Sequence, residues 1–417
     1  MAAFGCLPYL FSGEDQLSHP VDAYFEAMSG FSTTGASVLT DIEGLEHSLA
    51  MWRQFTQWLG GMGIIVLALV VLPRLRVGGR QLFEVEAPGP EVEPLTTSIR
   101  EAARRFVVLY IGFSILELLV LSAFAWSDLD ERMSFYEAIA HAFTTMPTGG
   151  FSTEARSIEA FGPATQWAIA GFMVVAGTNF ALMYRSLVRR RPAFLVRDDE
   201  FRLYVILLVL ASGILLIELW SEEIAEGEAA VRHAVFQTVS LMTTTGYASA
   251  DYNEWTFLSA MLLVALMFAS ASAGSTSGSI KLARHVLIGR MLRRELDQTI
   301  HPELITPIRF NGAIVDERAL RAVIVFVLLY VGVWAAGAGL IALDGAQAGT
   351  SVSAFDVIAA SATTLGGVGP GFGFAGPMGS FEPFSDVSKV IMIVLMWLGR
   401  LEIIPVAVLL TRAYWRA

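Results

Sequence analysis

Ser29-Gly-Phe-Ser-Thr-Thr-Gly-Ala36 is the first of four short tracts on which the reading of this chain turns. The others are Thr144-Thr-Met-Pro-Thr-Gly-Gly-Phe151, Met242-Thr-Thr-Thr-Gly-Tyr247 and Ser361-Ala-Thr-Thr-Leu-Gly-Gly367. Each follows a short amphipathic stretch (22–28, 135–143, 229–241 and 354–360) and precedes a polar connection leading to a long apolar segment. Aligned on the last shared glycine, they superpose Thr33-Thr34-Gly35, Thr148-Gly149-Gly150, Thr244-Thr245-Gly246 and Thr364-Leu365-Gly366. The glycines lie 115, 96 and 120 residues apart, the length of two membrane-crossing helices with their connections. A recurrence of this kind marks an internal repeat. One Thr/Gly tract between helices is commonly only a turn; four in register call for a shared role.

Outward from the tracts, the chain is apolar. Of its 417 residues, 54% are hydrophobic and 16% charged, against about 25% charged in soluble domains. Mean hydropathy is +0.58 and net charge −11. This composition argues against a water-soluble enzyme and excludes a disordered chain. A lone cysteine, Cys6, leaves no internal disulfide and no thiolate cluster. Acidity makes nucleic acid a poor partner. Segments 54–72, 103–126, 164–187, 201–220, 255–273, 319–343 and 389–410 each approach the roughly 20 apolar residues that a bilayer requires. Isolated acids such as Glu117 and Glu218 are tolerable near segment ends. The alternative, buried helices of a large soluble protein, fits poorly with polar residues that collect in the connections.

Basic residues set the sidedness. One connection holds Arg74, Arg76, Arg80, Arg100, Arg104 and Arg105; a second holds Arg185, Arg189, Arg190, Arg191, Arg197 and Arg202. A third carries Lys281, Arg284, Arg290, Arg293, Arg294, Arg309, Arg318 and Arg321, and Arg412 and Arg416 end the chain. These regions contain 22 of the 28 Lys and Arg, all on one side if the segments alternate, and that side is cytoplasmic. The opposite face carries Glu14, Asp15, Asp22, Asp41, Glu43, Glu46, Asp128, Asp130, Glu131, Glu222, Glu223, Glu226 and Glu228. As a field it would concentrate cations; any one of these carboxylates reads equally well as solvated surface.

The pattern predicts an all-α polytopic membrane protein of four helix–re-entrant loop–helix units around one pore. The units span 1–75, 76–190, 191–290 and 291–417. Re-entrant backbone is permitted at membrane depth only where protein or water satisfies it, which four hairpins meeting on an axis would do. Rings of carbonyl oxygens can replace a cation's hydration shell. Turning successive carbonyls inward takes backbone angles that glycine reaches at little cost. Threonine adds a hydroxyl acceptor, and the preceding short helix aims the negative end of its dipole at the axis. Thr33, Thr34, Gly35, Thr148, Gly149, Gly150, Thr244, Thr245, Gly246, Thr364, Leu365 and Gly366 are therefore the candidate ion-binding residues.

With Trp52-Arg-Gln-Phe-Thr-Gln-Trp-Leu-Gly-Gly-Met-Gly-Ile-Ile65 after the first tract and Trp397-Leu-Gly-Arg-Leu-Glu402 after the fourth, the chain resembles the Trk/Ktr/HKT superfamily of potassium transporters. It is most similar to the bacterial Trk membrane subunit, over essentially its whole length. The resemblance implies a potassium-channel-like fold and a homodimer with one pore per subunit in the bacterial cytoplasmic membrane. It also implies a cytosolic ring with nucleotide-binding domains as regulatory partner. In plant relatives a serine at the first tract's glycine accompanies sodium transport; Gly35 here favours potassium. A sodium-selective transporter, or one coupled to sodium or protons, is the alternative within the same fold.

Ala269-Ser-Ala-Ser-Ala-Gly-Ser-Thr-Ser-Gly-Ser279 interrupts the fifth apolar segment with small and hydroxyl residues. By resemblance it is an intramembrane loop that closes the pore, with Gly274, Ser275, Thr276, Ser277 and Gly278 as gate residues. From the residues alone a helix-packing surface, which also favours small side chains, is the alternative to the gate. Arg400 is a charge inside the last apolar segment, an expensive placement that calls for a polar partner or pore. By resemblance it bonds the loop's carbonyls; pairing with Glu402 or snorkelling is the plainer reading.

Ahead of the first tract stands only the short stretch 1–11, where the other three units have a full helix. With no signal-peptide pattern in its place, the expectation is a truncated or mis-started chain, with seven segments leaving the N-terminus outside and one quadrant of the pore wall thin. A carrier working by alternating access would show two-fold inverted repeats and a charged midplane site; this chain shows four units of one sense. An intramembrane enzyme is disfavoured by six scattered histidines, His19, His47, His141, His233, His285 and His301, and by the absence of His-Glu-x-x-His. The basic connections lack a phosphate-cradling glycine loop, so the chain is expected to bind no nucleotide itself and to need no cofactor beyond the transported K+.

Overall fold

The computed structural model describes residues 1–70, 99–188, 190, 192–304, 306–348, 352–401, 403–409, 411–412 and 414–416. Arg74, Arg76, Arg80, Arg189, Arg191, Glu402, the end of segment 54–72 and the unit boundary at 75 lie outside the described residues.

Two short helical turns, Ala2–Gly5 and Leu7–Phe11, lead into α1 (Pro20–Phe31) and α2 (His47–Val70). Next come α3 (Ile99–Trp126), α4 (Phe135–Thr145), α5 (Pro163–Ala176) and α6 (Phe180–Val188). They are followed by α7 (Asp199–Ser221), α8 (Gly227–Met242), α9 (Phe257–Phe268) and α10 (Leu282–Ile300). The last are α11 (Glu317–Ala348), α12 (Ala354–Gly366), α13 (Asp386–Leu401) and α14 (Ile403–Leu409). Between α10 and α11 a two-stranded hairpin pairs β1 (Arg309–Phe310) antiparallel with β2 (Ala313–Ile314), Arg309 opposite Ile314.

Local chemistry starts these helices. Ser134, Asp198, Thr256 and Ser353 accept the N–H groups of Glu137, Phe201, Ser259 and Asp356, each satisfying one of the donors that a helix start leaves orphaned. At Ser353 the bond is reciprocated by Asp356, a capping box. The helices α1, α4, α8 and α12 that precede the four tracts each pack between two others: α1 on α2 and α13, α4 on α2 and α3, α8 on α5 and α7, α12 on α11 and α13.

Among the described residues, α7, α11 and the part of α3 from Arg104 to Trp126 are long and apolar enough to cross a membrane. Their outer faces stay apolar: Leu119, Val209, Ile217 and Leu328 are each more than 60% exposed, large apolar side chains that water would penalise and hydrocarbon accepts. Three further segments depart from single straight spans. Segment 164–187 is α5 and α6, bent by 100° where Gly177, Thr178 and Asn179 part them. Segment 255–273 is helical only through Phe268, and segment 389–410 divides into α13 and α14.

Candidate functional site

The tract after α1 leaves the helix through Thr33 and Gly35, at φ 54° and 85°. Thr148 and Gly150 (55° and 80°) repeat this after α4, and Thr244 and Gly246 (57° and 82°) after α8. Positive φ is uncommon for a β-branched residue, and three threonines hold it at equivalent positions. The bond across each turn is also shared: Thr34 N–H donates to Ser29 O at 2.9 Å, Gly149 to Thr144 O at 2.8 Å and Thr245 to Ser240 O at 2.9 Å.

The fourth tract follows the same path three residues later than the sequence alignment places it. Thr364, Leu365 and Gly366 are the closing residues of α12. Left-handed angles fall at Gly367 (66°) and Gly369 (105°), and Val368 N–H donates to Thr363 O at 3.0 Å. The structural counterparts of Thr33-Thr34-Gly35 are thus Gly367-Val368-Gly369. The misalignment has a simple cause: Gly367 does without Cβ what threonine does elsewhere, so the Thr-Thr pair of this tract stays helical.

The four tracts touch in a closed cycle. A Cβ on Gly35 would strike Gly149 O, one on Gly150 Thr245 O, and one on Gly246 Val368 O; one on Gly369 would stand 2.7 Å from Thr34 O, closing the ring. The same carbonyl position of each tract therefore abuts the glycine of its neighbour. Above them opens a cavity of about 60 Å³ lined by Gly35, Gly150, Gly246 and Pro370, with Glu154 the one carboxylate on its described wall. Thr33, Thr34, Thr148, Thr244, Thr245 and Thr364 are all buried.

Residues that the sequence reading did not single out brace this ring. Gln57 of α2 donates its amide to Gly149 O at 2.7 Å and accepts from Phe151 N–H at 3.1 Å. Glu26 and Arg53, both buried, pair at 2.6 Å. Glu26 accepts from Ser37 Oγ and Val38 N–H, while Arg53 donates to Ser152 O at 2.9 Å and lies 3.6 Å over the Phe151 ring. Counting back from the shared turn bond, His141 occupies before the second tract the place that Glu26 has before the first. Its Nδ1 donates to Glu137 O and its Nε2 accepts from Ser152 Oγ. The available signal was an acid in a short helix, Glu26, with an arginine inside the string 52–65.

Beneath the ring the segment after α9 folds as an irregular loop. Gly278 N–H donates to Thr244 Oγ1 at 2.8 Å, and a Cβ on Gly278 would strike Gly366 O. Thr276 Oγ1 donates to Met146 O and Ala176 O, and Gly274 O accepts from Phe180 N–H. Arg400 Nη1 donates to Thr276 O at 3.1 Å and Nη2 to Gly60 O at 3.4 Å. Of the candidate gate residues, Thr276 and Arg400 are thus in direct contact, Gly278 abuts the third tract, Ser275 and Ser277 bond each other through their hydroxyls, and Gly274 turns at φ 71°.

Apolar helices with lipid-compatible faces, enclosing buried irregular backbone, define a helical membrane protein. Residues 5–416 match the model of the TrkH family, described as cation transport protein. The Trk system potassium uptake protein TrkH of Halomonas elongata is 35% identical over 426 residues, covering 100% of this chain and 83% of that one. Its Escherichia coli namesake is 34% identical over 419 residues with the same coverage. The crystal structure of the potassium transporter TrkH from Vibrio parahaemolyticus superposes with a TM-score of 0.85 at 30% identity, over 100% of this chain and 83% of that one. The chain belongs to the TrkH family of cation transport proteins, which are transporters and not enzymes.

Proposed function

We propose that the four tracts form the selectivity filter of a potassium-uptake pathway through one chain, and that the loop 269–279 with Arg400 is its gate. One observation carries this reading: the cyclic contact of Gly35, Gly150, Gly246 and Gly369 with the carbonyls of Gly149, Thr245, Val368 and Thr34. Alternating left-handed residues let successive carbonyls turn to one side, the arrangement that can replace a monovalent cation's hydration shell. The potassium uptake named for the relatives supports K+ as the ion. In this reading the filter is Thr33, Thr34, Gly35, Thr148, Gly149, Gly150, Thr244, Thr245 and Gly246, completed by Gly367, Val368 and Gly369 with Thr364, Leu365 and Gly366 at the helix end supporting them. The four units then follow the division 1–75, 76–190, 191–290 and 291–417. The protein works as a homodimer in the bacterial cytoplasmic membrane and is opened by a cytosolic nucleotide-binding ring.

Ion flux into proteoliposomes tests both parts. The intact chain should pass K+ and Rb+ in preference to Na+ and Li+, Gly35→Ser should erode that preference, and Arg400→Ala should raise basal flux. Equal passage of all four ions by both the wild type and Gly35→Ser removes the filter; a Na+ preference in the wild type selects the sodium transporter instead. Unchanged basal flux in Arg400→Ala removes the arginine from the gate.

A further inference from the structure

The loop 269–279 is tied at its base by a residue outside its own unit's second helix. Its two ends run side by side, with Ser270 N–H donating to Ile280 O at 3.1 Å and Leu282 N–H to Ala271 O at 3.4 Å. One carboxylate oxygen, Glu200 Oε1, accepts from Ala273 N–H at 2.6 Å and from Ala283 N–H at 2.9 Å. Glu200 is 4% exposed and stands in the first turn of α7. A single acceptor therefore holds the residue entering the loop and the residue leaving it. Because Glu200 is buried, a donor that loses this oxygen has little access to solvent in its place, and leaving a buried N–H unpaired is costly.

The two residues before Glu200 are bound to the hairpin between α10 and α11. Asp199 N–H donates to Asn311 Oδ1 and Asn311 N–H to Asp199 Oδ2, both at 2.8 Å. Asn311 Nδ2 donates to Asp198 Oδ2 at 2.7 Å, and Arg290 pairs with Asp199 at 2.9 Å. Asn311 and Gly312 form the turn of that hairpin, and the hairpin lies in the basic third connection, on the side assigned to the cytoplasm. Consecutive residues 198, 199 and 200 thus bond the hairpin on one side and the loop on the other. Both sets of bonds sit on one helix turn, a rigid element and not a remote path.

We propose that Glu200 is a positioning residue that holds the intramembrane loop closed, and that the Asn311 turn is the handle by which a cytoplasmic protein displaces it. Pulling the hairpin rotates the first turn of α7, withdraws the carboxylate from Ala273 and Ala283 and frees both loop ends together. This rests on the gate reading of the loop, so the experiment separates the two. Basal Rb+ uptake into proteoliposomes is compared for wild type, Glu200→Ala, Glu200→Gln, Asn311→Ala, Glu200→Ala/Asn311→Ala and a deletion of residues 275–277. Coupling factors between linked sites run about 5–150-fold. Glu200→Ala should raise basal uptake at least about fivefold with the K+ over Na+ preference intact. Glu200→Gln, which keeps an acceptor, should fall between it and wild type. Asn311→Ala should give a smaller rise, and the double variant no more than Glu200→Ala alone. If the deletion raises uptake while Glu200→Ala matches wild type, the clamp is wrong and the gate stands. If the deletion also leaves uptake unchanged, the gate reading falls and takes the clamp with it. A rise accompanied by lost ion preference marks general loosening and overturns the clamp. Should Glu200→Ala fail to fold, Asn311→Ala decides: elevated uptake supports the linkage and wild-type uptake refutes it.

Discussion

Thr33, Thr148 and Thr244 carry backbone angles that cost an L-residue about 1–2 kcal/mol each. Such strain persists only where surrounding contacts over-determine it, and it gathers at working sites. Gly367 escapes the cost, which is why the turn of the fourth tract lies three residues beyond the Thr-Leu-Gly that aligns with the others. Its letters, Thr-Thr-Leu-Gly-Gly, imitate the other tracts, but the residues that turn are the glycines beyond them. The first three tracts were legible because threonine and glycine fall at the same offsets in each; nothing in one sequence says where α12 stops. The register predicts different outcomes for changes at two glycines three residues apart. Gly369→Ala places a methyl 2.7 Å from Thr34 O at φ 105° and should cut Rb+ flux about tenfold or more, a barrier of about 1.4 kcal/mol. Gly366→Ala is helical, meets Val368 Cγ2 at 3.3 Å, and should retain most of the flux. Equal losses would refute the shifted register.

At the scale of elements, α3, α7 and α11 are readable because hydrocarbon demands long apolar helices whatever the tertiary contacts. The break between α5 and α6 is not. No proline marks it; Asn179 Oδ1 caps the start of α6 by accepting from the Ala181 and Leu182 N–H groups, and Ser272 N–H, from a loop almost a hundred residues downstream, donates to Gly177 O. The bracing of the tracts by α1 and α2 was equally hidden, since Glu26 and Arg53 find each other only when those helices pack. Removing one member of a buried pair leaves the other charge uncompensated, at a cost of about 3–5 kcal/mol. Arg53→Met should therefore lower the thermal midpoint in lipid nanodiscs sharply, and Glu26→Gln/Arg53→Met should recover part of the loss. A double variant as unstable as the single one would assign the effect to lost packing over Phe151 instead of to the stranded carboxylate.

For the whole molecule, the division of charge between two faces predicts which loops each aqueous compartment reaches. In a Cys6→Ser background, Glu222→Cys should react with a membrane-impermeant maleimide on intact cells, and Arg293→Cys only after permeabilisation; both positions are exposed. The reverse pattern would invert the topology. The closed contact between the tracts has one more consequence, because a single polypeptide supplies all its corners. In an assembly of four identical subunits, a codon change is copied to every quadrant and its effects arrive multiplied. Here each quadrant answers to its own codon, so one isotope-labelled carbonyl or one altered side chain can be addressed alone, and the corners are free to diverge as Gly367 already has.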